Sequence, residues 1–196
     1  MKISETNVRK LIITDAPMPE GRGVLDPISV YIEDFGPGAG KITITCFGEA
    51  WSHYWSHMGE QHTLATFFSK CDQHYLAGKL KNGIDHIIRD DDPASVEQAL
   101  KRKIIERRLE DSFDKETARG LWNEVEYMAE GIAGNAIGDS ESELLFHLFG
   151  DEWWHCLPKK TNPAYEYLCQ IIKTVQAALR QLPVDNSLKS TVSSQS

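Results

Sequence analysis

An α+β fold is predicted, in which a small antiparallel sheet of three to four strands in the N-terminal half packs with about four to five helices in the C-terminal half. Between residues 26 and 48, β-branched residues alternate with polar ones, which marks half-buried strands. From residue 92 onward, apolar residues recur at three and four, with capping residues at the ends of each run. Strands come first and helices afterwards, so the alternating α/β architecture is not expected.

The elements follow in order. Leu11, Ile12 and Ile13 sit in a segment that stops at Asp15-Ala16-Pro17, and they supply a first strand. Residues 15–27, with their prolines and glycines, read as an exposed loop. Ile28, Val30 and Ile32 then face the core from one strand, and Ile42, Ile44 and Cys46 from the next. Phe35-Gly36-Pro37-Gly38-Ala39-Gly40 joins them as a longer-than-minimal hairpin loop, since glycine takes positive φ freely and proline lacks a ladder donor. Trp51, His53 and Trp55 share one face of a short fourth strand. From Thr63, the spacing of Leu64, Phe67, Phe68, Cys71, Tyr75 and Leu76 predicts a helix stopping near Gly78.

Asp92-Pro93 opens the next helix with a cap and a first-turn proline, and Val96, Leu100, Ile104 and Ile105 form its stripe. A helix from near Asp114 to Gly131 carries Leu121, Trp122, Val125, Met128 and Ala129. Ser140 and Glu143 have capping-box spacing before Leu144, Leu145 and Leu148, with Gly150 as the stop. Asn162-Pro163 starts the last helix, whose inward face holds Tyr167, Leu168, Ile171, Ile172, Val175, Ala178 and Leu179. A single domain over residues 1–183 is expected, followed by a disordered Ser/Thr-rich tail over 184–196.

The chain has 196 residues with a formal charge of −8. It lacks an apolar run of the ~18 residues that a membrane span needs, and its first residues are too polar for a signal peptide. A cytoplasmic location is expected. Four cysteines, never in a CxxC pair, read as reduced thiols.

Motifs for chemistry are weak. His53, His57, Cys71 and His74 are the right residue types for zinc, but their spacing closes no tetrahedral site. Cys156 beside His155 is the nearest approach to a nucleophile and base, and an inert thiol is the better reading. The glycine-rich loop lacks P-loop spacing and leads into a strand. Asp90-Asp91-Asp92 precedes a helix, where carboxylates favour the N-terminal dipole. No catalytic residue, cofactor or metal is therefore expected.

Charge is more informative. Residues 94–109 carry Lys101, Arg102, Lys103, Arg107 and Arg108 against two acids, a local +3. Residues 111–152 hold eleven acidic residues against two basic ones, a local −9. Solvated helix faces that partly pair with each other explain much of this. The acidic region also offers a surface to a basic macromolecule, with Glu124, Glu130, Glu141, Asp151 and Glu152 as candidate partner-binding residues. Trp153 and Trp154 adjoin it, and one of the pair is expected to plug the core while the other anchors a partner.

Three runs, NVRKLIITDA, LDPISVYIEDFGPGAGKITITCFGEAWSHYW and DEWWHCLPKKTNPAYEYLC, resemble a family of accessory proteins encoded by enterobacterial phages and prophages. The likeness spans most of residues 7–170 and brings no catalytic residues and no established activity. It implies a context in which small proteins bind and alter host proteins, host defences included. The leading expectation is a phage or prophage accessory protein that works by protein–protein interaction, inhibiting or modulating a host defence or nucleic-acid-processing factor. Two alternatives come from the residues: a small metalloprotein or metal-dependent enzyme built on the His/Cys cluster, and a nucleic-acid-binding factor using residues 101–108. The net negative charge opposes the second.

Overall fold

A computed structural model describes residues 1–3, 5–18, 21 and 23–183. The expected tail over 184–196 lies outside the described residues. Contacts gather into two compact units, residues 1–84 with the chain from Pro163, and residues 85–162 inserted between them. The sequence suggests one domain over 1–183; each unit has its own apolar core.

The first unit contains the expected antiparallel sheet, a meander of β1 (Arg9–Ile13), β2 (Ile28–Gly36), β3 (Ala39–Cys46) and β4 (Glu49–Trp55). Val30 pairs with Ile44 and Ile32 with Ile42, and the apolar residues of β2 and β3 are buried on one face. A one-residue slip of this register would turn the whole apolar set out of the covered face. Three helices cover it: α1 (Leu64–Lys70), α2 (Gln73–Leu80) and α6 (Pro163–Gln181). Between α2 and α6 the second unit contributes α3 (Pro93–Leu109), α4 (Lys115–Ala133) and α5 (Asp139–Phe149). These three bury Val96, Leu100, Ile104, Val125, Ile132 and Leu145 in a separate core.

Several expectations need correction. The hairpin loop is shorter than expected, because β2 and β3 extend to leave only Pro37-Gly38 between them, with a register shift at Asp34/Gly36. Gly38 takes φ +70, and a Cβ there would come within 3.0 Å of the Gly59 backbone. Its carbonyl accepts from the Met58 N–H at 2.7 Å, which ties the hairpin tip to the chain after β4.

The single helix expected over 63–78 is two helices. Asp72 caps the second by accepting from the Tyr75 N–H at 2.9 Å. The carbonyls that end α1 accept from α6: Gln176 Nε2 donates to Phe68 at 3.0 Å and to Cys71 at 2.7 Å, and Arg180 donates to Ser69. Side chains distant in sequence thus satisfy groups that a continuing helix would have satisfied locally. Gly78 lies within α2 and does not end it. Ile105, expected in the buried stripe of α3, is 48% exposed.

In the second unit, β5 (Ile87–Arg89) pairs antiparallel with β6 (Lys159–Thr161) in a two-stranded ribbon. The Asn162 N–H donates to the His86 carbonyl at 2.9 Å, so the two ends of the insert meet. Arg89 donates to the Ile132 carbonyl and to Asn135, which closes the C-terminal end of α4. The three aspartates before α3 are all engaged. Asp92 caps the helix at the Ser95 N–H, buried Asp90 accepts from the Ser95 hydroxyl, and Asp91 pairs with Lys160. The Ser95 hydrogen bond, with smaller help from Lys160, holds the Asp90 carboxyl below the ordinary carboxylate value.

Candidate functional site

The acidic segment supplies α4 and α5 of the insert, and its charges have distinct local uses. On α4, Leu121, Val125, Ala129 and Ile132 follow the helical period and face the core, leaving Glu124, Glu126 and Glu130 outside. Asp114 caps α4 by accepting from the Thr117 N–H at 2.7 Å, and that bond holds its carboxyl below the usual value. Glu126 takes one bond from Lys101 at 2.7 Å, and Glu97 takes another at 2.7 Å. Those contacts raise the Lys101 ammonium above its ordinary value and join the basic and acidic regions.

Between α4 and α5 lies a groove of about 420 Å³. Leu121, Met128 and Leu144 form its floor, and Thr117, Glu124, Ser140, Glu143 and His147 its walls. Gly120 also lines it. Two carboxylates over an apolar floor suit a cationic side chain with an aliphatic stem, such as Lys or Arg.

Of the candidate partner-binding residues, Glu124 lines this groove. Glu130 is exposed on α4 but is not among the residues that line it. Asp151 and Glu152 are exposed after α5, also outside the groove. Glu141 is used within its own helix, where its carboxylate accepts from the Gly138 N–H at 3.0 Å and caps α5, which begins at Asp139 rather than after Ser140. The cap shifts by two residues, and the roles expected of Glu141 and Glu143 exchange. Glu143 was hidden from sequence reading by its capping-box spacing. His147, one turn beyond it on α5, had no motif to reveal it.

The two tryptophans differ in exposure. Trp153 is half-buried against the core of the insert, while Trp154 is 52% exposed. They lie on a short 3-10 turn, Trp153–His155, with ring centroids 5.9 Å apart, edge to face. The His155 ring lies against Trp154, and neighbouring Cys156 is exposed.

The rival sites are dispersed. His53 packs on the edge of Trp55 at 4.6 Å, His57 contacts Ser56, and His74 bonds the Tyr165 hydroxyl at 3.3 Å. Burial pushes the Cys71 thiol up, the opposite of what a thiolate ligand requires. Among the described residues, no three His, Cys, Asp or Glu side chains stand together to hold a metal ion. The basic stretch is also partly occupied. Lys101 bridges two glutamates, Lys103 pairs with Glu106, and Arg107 donates to the Leu148 carbonyl.

Taken together, the fold is α+β, and the acidic groove and the exposed Trp154 lie on an inserted helical unit. No helix among the described residues is long and apolar enough to cross a membrane. A model described as a phage family, Phage_phiTE_072, matches residues 1–181, and the chain belongs to that family. No curated protein and no solved structure matches it.

Proposed function

We propose that this phage protein is an accessory factor of enterobacterial phages and prophages that acts in the host cytoplasm by binding a basic region of a host protein. The target is a defence or nucleic-acid-processing factor, which the phage protein inhibits or modulates. The observation that carries this reading is the α4–α5 groove, where Glu124 and Glu143 stand over an apolar floor. Proteins that handle nucleic acid present Lys and Arg to phosphates, and an acidic groove competes for the same side chains. The exposed Trp154 supplies a large apolar anchor on the same unit.

The test pairs affinity capture from host lysate with binding rates measured on the captured partner. Glu124→Lys with Glu143→Lys should slow association at least about tenfold and flatten its salt dependence, because complementary charge acts mainly on encounter. Trp154→Ala should chiefly raise the off-rate. Equal rates for the unaltered protein and both variants would refute the groove as the binding site.

A further inference from the structure

A second surface on the insert has the opposite polarity. At the end of α3, Ile105 is 48% exposed and Leu109 80% exposed, an unusual cost for two large aliphatic residues one helical turn apart. Across from them on α4 stand Ala118 and Trp122, also one turn apart, and together they line a shallow trough of about 430 Å³. Its charged lining is basic, with Arg108, Lys115 and Arg119 all exposed, and Arg108 also pairs with Asp111 at 3.7 Å. Lys101 stacks its ammonium over the Trp122 ring at 4.7 Å, which fixes the indole as a wall of the trough. This surface lies in a chain of charge −8, so the local cations are a departure from the whole.

We propose that this trough docks an amphipathic helix of another protein, one with an apolar stripe flanked by Asp and Glu. Two parallel pairs of apolar residues at helical spacing form a slot for the i, i+3, i+4 stripe of a third helix. Small Ala118 lets that helix approach closely. Lys115 and Arg119, with Arg108 shared with Asp111, select an acidic flank and reject a basic one. Nucleic acid matches the charge but leaves Ile105 and Leu109 without an apolar partner. The surface is independent of the Glu124–Glu143 groove, and its failure would leave that reading untouched.

The experiment measures fluorescence anisotropy of a labelled helical peptide with Leu at heptad positions and Glu on the flanks, titrated with the full chain. Binding should weaken with salt, and a counterpart with Lys for Glu should fail to bind. Ile105→Glu and Leu109→Glu alter exposed side chains, and circular dichroism should find both folded as the unaltered protein. Each should lower affinity about tenfold or more. Arg119→Glu should slow association and reduce the salt dependence. The proposal is overturned if the acidic peptide does not bind, if the variants bind it as tightly, or if the Lys peptide binds equally. It is also overturned if an oligonucleotide takes its place at these cations, or if sedimentation shows the chain pairing with itself through an interface that Leu109→Glu abolishes.

Discussion

Tyr167 on α6 reaches under the sheet, where its hydroxyl and the Cys46 sulfur form a hydrogen bond of 3.2 Å. Burial first, and that bond second, push the phenol well above its ordinary value, so the folded protein keeps it neutral. Tyr165, Cys71 and Cys169 are shifted the same way, each mainly by burial. For an acid raised by folding, the stabilisation is complete below the unfolded value, about 10 for a tyrosine, and declines as pH rises past it. Thermal midpoints followed by circular dichroism should therefore fall on the alkaline side. Tyr167→Phe should flatten part of that fall, while costing about 1 kcal/mol at neutral pH through the lost hydrogen bond. An identical alkaline profile in the variant would assign the sensitivity to other groups. Trp55 shows a milder version of the same device, burying its ring while its indole N–H donates to the Tyr75 hydroxyl at 3.1 Å.

Elements were legible wherever a local signal determined them. Alternation placed β2 and β3, Asp92-Pro93 placed α3, and Asp114 placed the start of α4. The break between α1 and α2 was not legible, because a periodic run from Leu64 to Leu76 conceals it and its cause lies about a hundred residues later in α6. Gln176 is 5% exposed, and its amide satisfies two carbonyls at that break. Gln176→Leu keeps the volume and removes the donor, so it should destabilise by about 1–3 kcal/mol, measured as a lower urea midpoint with unchanged slope. A loss well below this range would mean that the carbonyls find other donors. The candidate site was half legible for a related reason. Charge density pointed to the acidic helices and to Glu124, but a capping choice between Glu141 and Glu143 is made by chain geometry at Gly138, which spacing alone does not decide.

At the scale of the whole molecule, the ribbon of β5 and β6 brings the ends of the insert together, with Ile87 opposite Thr161. A unit whose ends meet can be removed with little strain on the chain that carries it. Joining residue 84 to residue 163 through a short Gly/Ser linker should leave a folded sheet unit, with dispersed amide resonances and a cooperative melt. An unfolded product would instead favour the single domain over 1–183 that the sequence suggests. The same topology sets a clock on synthesis. The sheet, α1 and α2 emerge from the ribosome first, yet their apolar face is closed by Leu168, Ile171, Ile172, Val175 and Leu179 of α6. Those residues arrive only after the 78 residues of Asp85–Asn162 have been translated, roughly 4–16 s later at bacterial and eukaryotic elongation rates. During that interval the nascent sheet presents Ile28, Val30, Ile42 and Ile44 incompletely covered, the kind of transient apolar exposure that makes a folding chain prone to associate.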